Sequence, residues 1–280
     1  MKAVVNAPIC PLMSQPRPDC ERADEALYGM VVEVLEETTP DFWRVRTHYR
    51  YEGYAPVSCL VIGDQAVEEW AALPKKVVLH KNCCDVQASP KVQAWALTSL
   101  PMGAVVAVTE GPETDPESRK PTGWQAVSLP DGQKGYVRSS YLDAYYDAPL
   151  DLPEAELRQR LCDTAKLYAR THYRWGGKSP AGIDCSGLVS MAYLLNGILI
   201  YRDAKLVEGF PIHAIDPAEM KPADLMFFPG HVAMYLGEQK YIHSTGKAGS
   251  DGVVINSLDP NAPDYRPDLP EKLTGAGSWF

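Results

Sequence analysis

The sequence lacks several features that would place the protein in common classes. No apolar run is long enough to cross a bilayer, and the first eleven residues lack the apolar core of a signal peptide. Basic residues are not in surplus, since the formal net charge is -9, whereas a nucleic-acid binder needs a basic surface. The CxxC and HxxxH spacings of common zinc sites are also missing. We therefore expect a cytoplasmic protein that binds neither membrane nor nucleic acid and needs no metal or other cofactor.

The size and composition indicate a folded protein of more than one domain. A chain of 280 residues exceeds one ordinary core, and 45% hydrophobic with 22% charged residues is typical of globular proteins. Seven cysteines, an odd number, are spread along the chain, which favours free thiols in a reducing compartment. We expect a monomer.

The first half of the chain contains an internal repeat of short strand patterns. Residues 30–35 (MVVEVL), 42–46 (FWRVR) and 53–57 (GYAPV) return in the same order as 103–108 (GAVVAV), 123–127 (GWQAV) and 135–138 (GYVR). The pattern predicts two small antiparallel β-barrels, at residues 1–68 and 75–146, and resembles the bacterial SH3-type domain. Two small β domains of another type are the alternative.

The third predicted domain, residues 150–280, carries the candidate chemistry. Asp151 and Pro153 predict the start of a helix, and Cys185 precedes Leu188 and Val189 at helical spacing. Free N–H groups and the dipole at a helix start favour the thiolate, the reactive form of cysteine. The same N–H groups can hold the oxyanion of a tetrahedral intermediate. Cys185 is therefore the candidate nucleophile.

Two histidines are the candidate partners of this cysteine. His231 and His243 flank a predicted hairpin centred on Gly237, which would set the two imidazoles nearly opposite each other on one face. We interpret His231 as the general base and His243 as the group that fixes its tautomer, the thiol counterpart of a serine triad. Zinc bound by Cys185, His231 and His243 is the alternative.

These residues resemble the NlpC-type cell-wall peptidases. The similarity covers about the last 110 residues and lies in these motifs: Asp184 to Gly187, Tyr173 to Gly177 (YRWGG), Pro222 to Phe228 (PADLMFF), Gly230 to Tyr235 (GHVAMY), and His243. The resemblance implies an α+β papain-like catalytic domain, here preceded by two small SH3-type β-barrels. It also implies a Cys–His–His triad formed by Cys185, His231 and His243.

The combination of domains is similar to one subgroup, the γ-D-glutamyl-L-diamino acid endopeptidases or dipeptidyl-peptidase VI. The resemblance implies cleavage of murein peptides between γ-D-Glu and the diamino acid, with a free N-terminal L-Ala, during wall recycling. Asp184 is the candidate amine ligand, aided by Ser186 and the Tyr173 hydroxyl. Asp184 also suits a helix N-cap, and Tyr173 suits the cleft wall or the oxyanion.

The resemblance also implies that the first barrel supplies an acid and a tyrosine to the cleft. Glu21 and Tyr51 are the candidates, with Glu25 and Tyr54 as alternatives. Two other readings compete with the recycling peptidase. One is a wall-binding module or remodelling enzyme outside the cell, and the other is acyl transfer on the same fold.

Overall fold

The computed structural model describes residues 1–280, which form two compact units, Met1–Tyr145 and Tyr146–Phe280. The first unit contains one α-helix, α1 (Asp64–Ala72), and fourteen strands. These strands are β1 (Lys2–Val5), β2 (Ile9–Met13), β3 (Arg22–Leu27), β4 (Val31–Glu36), β5 (Phe42–Thr47), β6 (Glu52–Pro56), β7 (Leu60–Ile62), β8 (Lys75–Val78), β9 (Cys83–Gln87), β10 (Ala96–Pro101), β11 (Val105–Thr114), β12 (Pro121–Ser128), β13 (Lys134–Arg138) and β14 (Leu142–Ala144).

The two halves of the first unit have the same topology. One seven-stranded sheet has the order β3-β2-β6-β5-β4-β1-β7, and the other has β10-β9-β13-β12-β11-β8-β14. Subtracting seven from each number in the second order gives the first order. The repeat of strand patterns in the sequence thus corresponds to a repeat of strand pairing.

The two sheets share packing within this unit. Tyr28, which follows β3, is buried in the core of the second sheet. Helix α1 buries Val67 and Trp70, and the Trp70 indole Nε1 donates to the Gly29 carbonyl oxygen at 3.1 Å. The helix was not predicted, and the predicted boundary after residue 68 falls inside it. The helix is short and buries only two apolar residues, Val67 and Trp70, so its apolar periodicity in the sequence is weak.

An acidic segment of the second half, residues 110–117, lies mostly in a long strand. Most of residues 110–117 belong to a strand, because β11 extends to Thr114, and β12 begins at Pro121. Irregular register between these strands, at Val108, Pro112 and Thr114, explains why the alternation of a plain strand is absent from the sequence.

The second unit is a helix-on-sheet domain. Its helices are α2 (Glu154–Lys166) and α3 (Cys185–Leu194), and its strands are β15 (Lys178–Ser179), β16 (Gly182–Ile183), β17 (His213–Ile215), β18 (Leu225–Phe228), β19 (His231–Gly237), β20 (Lys240–Thr245), β21 (Gly252–Ser257) and β22 (Gly275–Ser278). Six of these strands form an antiparallel sheet in the order β17-β22-β18-β19-β20-β21.

Helix α3 lies at the centre of this domain. Its residues from Cys185 to Tyr193 are all buried, and it packs against α2, β19 and β20. The predicted papain-like arrangement, a cysteine-bearing helix on an antiparallel sheet, is confirmed. Helix α2 begins at Glu154, and Pro153 is its N-cap residue. The prediction that Asp151 caps this helix is therefore wrong. None of the three α-helices combines the length and the apolar character needed to span a membrane.

Candidate active site

Cys185 is the first residue of α3, as the sequence predicts. The preceding residue, Asp184, is the N-cap, and its Oδ1 accepts a hydrogen bond from the Gly187 backbone N–H at 2.6 Å. This contact satisfies one of the N–H groups that a helix start leaves without an intrahelical partner. The cap fixes the first turn and with it the direction of the Cys185 side chain.

The Asp184 carboxylate is surrounded by donors of its own domain. Gly176 N–H donates to Oδ2 at 2.8 Å, and the Ser186 hydroxyl donates to Oδ1 at 3.3 Å. Arg202 adds two bonds, from Nη1 to Oδ1 at 3.1 Å and from Nη2 to Oδ2 at 3.0 Å. With the Gly187 bond this makes five donors for about four lone-pair sites. The helix-cap alternative for Asp184 is therefore what the structure shows, and its substrate role stays a prediction.

Arg202 is a buried cation that the sequence analysis missed. Its side chain is 1% exposed, and besides Asp184 it donates to the Ser186 hydroxyl oxygen at 2.7 Å. A buried guanidinium in bidentate contact with a carboxylate compensates both charges and fixes their geometry. No motif surrounds Arg202 in the sequence, so only the folded structure brings it to the start of α3.

The glycines of the cysteine motif permit close backbone contact. A Cβ at Gly187 would overlap the carbonyl oxygen of Gly177, so the loop before β15 can press against α3 only because residue 187 has no side chain. This contact holds the YRWGG segment beside the nucleophile.

The two predicted histidines lie on neighbouring strands and touch. His231 Nε2 is 2.8 Å from His243 Nδ1, and the ring centroids are 5.0 Å apart. The register differs from prediction, because Met234 pairs with Ile242 and the tight turn lies at Glu238 and Gln239, both with positive φ. The pairing is therefore shifted by two residues from a hairpin centred on Gly237. A shift of two keeps both imidazoles on the same face, which explains why they still meet.

Asn256 of β21 extends this line of contacts. Its Oδ1 is 2.9 Å from His243 Nε2, while its Nδ2 donates to the Asp264 carbonyl oxygen at 2.7 Å. The second bond fixes which end of the amide faces His243, so His243 Nε2 must be the donor. Neutral His243 then has a free lone pair on Nδ1 to accept the N–H of His231 Nε2. This leaves Nδ1 of His231 as the unprotonated nitrogen, available to take a proton.

Burial keeps the candidate nucleophile and base in their neutral forms. Burial, with the charge of Asp184, raises the pKa of Cys185 to about 11, while hydrogen bonds from the Val232 and Ser186 backbone oppose the rise. Burial also lowers the pKa of His231 to about 3, and His243 contributes to that fall. The predicted resting thiolate is thus opposed by desolvation. The arrangement suits transfer of the thiol proton to His231 as the sulfur attacks.

Tyr173 lies near the candidate nucleophile. Its backbone bridges to Ile183, two residues before Cys185. Burial raises the pKa of Tyr173 to about 12, with smaller contributions from Cys185 and Asp184, so the hydroxyl stays protonated and can donate. Of the other predicted substrate residues, Ser186 is buried beside Asp184 and Arg202.

Glu21 and Tyr51 lie in the first unit. Glu21 directly precedes β3 and its carbonyl oxygen accepts from Ser14 N–H at 2.8 Å, while Tyr51 directly precedes β6 and its N–H donates to the Thr47 hydroxyl at 3.0 Å. Their roles toward a substrate stay predictions. No group of three or more His, Cys, Asp and Glu side chains is arranged to hold a metal ion.

Comparison with known proteins identifies both regions. Residues 170–266 match the NlpC/P60 family, and residues 12–60 match the bacterial dipeptidyl-peptidase Sh3 domain. A dipeptidyl-peptidase 6 from Lysinibacillus sphaericus is 42% identical over 280 residues, covering 100% of both chains. A gamma-D-glutamyl-L-lysine dipeptidyl-peptidase from Bacillus cereus is 34% identical over 147 residues, which are 50% of this chain and 42% of that protein.

A solved structure has the same fold. The crystal structure of an NlpC/P60 family protein from Bacillus cereus aligns with a TM-score of 0.76 and 24% identity, over 100% of this chain and 99% of that one. The match extends over the whole length, so it includes the duplicated sheets as well as the domain with the cysteine. The chain belongs to the NlpC/P60 family of cysteine peptidases.

Proposed function

We propose that this peptidase hydrolyses murein peptides between γ-D-Glu and the diamino acid and releases L-Ala-γ-D-Glu. The full-length similarity to a dipeptidyl-peptidase 6 supports this substrate class. The observation that carries the chemistry is the hydrogen-bonded line from Asn256 through His243 to His231, next to the helix that begins with Cys185. A general base whose tautomer is fixed in this way is what a thiol nucleophile needs.

The proposed reaction follows from this geometry. The Cys185 sulfur attacks the γ-carbonyl carbon of D-Glu while His231 Nδ1 takes the thiol proton. N–H groups at the start of α3 stabilise the oxyanion. Collapse of the tetrahedral intermediate breaks the C–N bond, and His231 returns the proton to the leaving amine. Water, deprotonated by His231, then hydrolyses the thioester and restores the thiol.

Selection for a free L-Ala amine needs negative charge close to the bound ammonium. Asp184 shares its charge with Arg202, so an ammonium bound only there would lie beside a guanidinium and be repelled. The sequence predicts Glu21 as a further acid for the amine and the Tyr51 hydroxyl oxygen as an acceptor, and we keep both roles as proposals. Replacement of Glu21 by Gln should raise KM for the free tripeptide and leave kcat nearly unchanged.

We infer that the second seven-stranded sheet is a second SH3-type domain. Its strand order is identical to that of the sheet formed by residues 2–62, which includes the matched SH3 region. The domain division then becomes two SH3-type barrels, within one compact unit, followed by the catalytic domain. With the free cysteines, this organisation supports a recycling role in the cytoplasm.

The test compares three substrates under one condition. They are the free tripeptide L-Ala-γ-D-Glu-diamino acid, its N-acetylated form, and intact sacculi. A recycling peptidase releases L-Ala-γ-D-Glu from the free tripeptide and leaves the other two intact. Release of peptide from sacculi would instead indicate a wall-remodelling enzyme, and product formation that depends on an added amine acceptor would indicate acyl transfer.

A further inference from the structure

A cluster of charged side chains outside the triad carries a surplus positive charge. Lys247 Nζ is 2.9 Å from Asp268 Oδ1, and Arg266 contacts the same carboxylate through Nη2 at 2.7 Å and Nε at 3.1 Å. Two cations therefore share one anion. The Arg266 side chain is 11% exposed and that of Lys247 is 51% exposed, so the uncompensated charge is accessible from the Lys247 side.

The cluster lies at the end of the hairpin that holds the two histidines. Arg266 Nη1 donates to the Thr245 hydroxyl at 3.2 Å. Thr245 and His243 are two residues apart in β20, so their side chains point to the same face of the strand. Burial is the largest cause that lowers the pKa of His231 and of His243, and the positive charge of Arg266 is a smaller cause for both. The guanidinium is therefore within electrostatic reach of the two histidines.

The segment between Thr245 and Lys247 also touches the cleft. Gly246 packs against the Tyr173 ring so closely that a Cβ there would come within 3.1 Å of Cδ1. The charge of Cys185 is among the causes, after burial, that raise the pKa of Tyr173, so this ring lies near the nucleophile. The ammonium of Lys247 is thus carried by a segment that packs directly on a residue of the candidate active site.

The chemistry of the leaving group explains what such a cluster can bind. In the proposed reaction His231 protonates the amine nitrogen of the leaving diamino acid. The α-carboxylate of that residue is two covalent bonds from the nitrogen, so its oxygens lie about 3 Å from it. When the diamino acid is the last residue of the peptide, this carboxylate is free and negatively charged. It must then lie on the His231 side of the cleft, where the cluster is found.

We propose that Lys247 and Arg266 form a subsite for the free α-carboxylate of the leaving diamino acid. This inference rests on the proposed function and deepens it, because it names the peptide that the site prefers. Peptides that end at the diamino acid supply the anion. Peptides that continue beyond it, or are cross-linked through this carboxyl group, present a neutral amide and lose the interaction, so the subsite favours released, fully trimmed murein tripeptides.

The test combines a charge deletion with a matched pair of substrates. The substrates are the tripeptide ending in whichever diamino acid is cleaved, as the free α-acid and as the α-amide. The variant is Lys247→Gln, and the control is Lys240→Gln, which removes the same charge from the exposed start of β20. We expect wild type to prefer the acid by about tenfold in kcat/KM, as for a charge-assisted hydrogen bond. Lys247→Gln should lose about fivefold on the acid and nothing on the amide.

The outcomes separate this inference from the proposed function. Equal kcat/KM of wild type for acid and amide, an equal loss on both substrates in Lys247→Gln, or no loss on the acid would each overturn the subsite while the peptidase assignment stands. Failure of wild type to cleave either peptide would overturn the proposed function, and the subsite with it. Lys240→Gln should behave as wild type on both substrates, and unchanged melting temperatures exclude unfolding as the cause of a loss.

Discussion

Asn256 is predicted to control catalysis without touching the substrate. Its Oδ1 accepts from His243 Nε2 at 2.9 Å, and His243 is fully buried. Replacement by Leu removes the side-chain acceptor of that N–H and leaves it unsatisfied, which costs about 1–3 kcal/mol. His243 can avoid the penalty by moving its proton to Nδ1, the nitrogen that faces His231. His231 then becomes protonated on the wrong nitrogen and cannot take the thiol proton.

The size of the effect follows from this penalty. Each 1.36 kcal/mol corresponds to a tenfold change in rate, so Asn256→Leu should lower kcat about 10- to 100-fold. KM should change little, because the hydrogen bonds of the Asn256 side chain go to His243 and the Asp264 carbonyl oxygen and not to the substrate. The assay is steady-state release of L-Ala-γ-D-Glu, with Asn261→Leu as the control, since Asn261 is an exposed amide in the neighbouring turn.

Asn256→Asp distinguishes a positioning role from a merely structural one. A carboxylate still accepts from His243 Nε2, so kcat near neutral pH should stay close to that of wild type. The negative charge stabilises the imidazolium and raises the pKa of His243. Because protonated His243 cannot accept from His231, activity should be lost at a higher pH than in wild type as the solution is acidified. Wild-type kcat in a folded Asn256→Leu variant would refute the reasoning.

Two further predictions concern stability. The pKa of His231 and of His243 is lowered, chiefly by burial, to about 3 and about 4, against about 6.5 in the unfolded chain, so the unfolded state binds more protons as pH falls below 6.5. The free energy of unfolding should therefore fall by about 2 kcal/mol per imidazole between pH 6.5 and pH 5, and melting curves of wild type and His243→Asn should converge on acidification. Melting curves of wild type and His243→Asn that stay equally far apart from pH 6.5 to pH 5 would contradict this prediction. Arg202→Met leaves the Asp184 carboxylate buried without its counter-charge, and we expect a loss of about 3–5 kcal/mol in denaturant unfolding. Lys205→Met, on the same segment, should cost less than about 0.5 kcal/mol, and equal stability of the two variants would be evidence against a structural role of the ion pair.

The sequence predicts the nucleophile and its helix because the signal is local. Glycines and Asp184 precede Cys185, and apolar residues follow at helical spacing, so one short segment contains the whole pattern. The histidine pair is predicted for a similar reason, since a hairpin brings close residues of the chain together. The register was missed by two residues because the turn is formed by Glu238 and Gln239 with positive φ, which neither residue type signals strongly.

Asn256 and Arg202 could not be found from local patterns. Asn256 reaches His243 only because β21 pairs with β20, where Val254 lies opposite His243 and Asn256 is on the same face as Val254. The sequence could have indicated this contact only through the pairing of β20 with β21. That pairing can be used only after β21 has been predicted and aligned with β20. Arg202 lies in an irregular segment without periodicity, and its partner Asp184 is 18 residues away. Tertiary packing alone brings them together.

Cys185 is the proposed nucleophile for the release of L-Ala-γ-D-Glu. The most direct measurement follows cleavage of the free tripeptide by wild type, Cys185→Ala and Cys162→Ala, the last being another buried free cysteine of the same domain. We expect wild type and Cys162→Ala to release the dipeptide at similar rates, and Cys185→Ala to lose about four or more orders of magnitude in kcat. Cleavage by a folded Cys185→Ala protein at the wild-type rate would contradict the assignment.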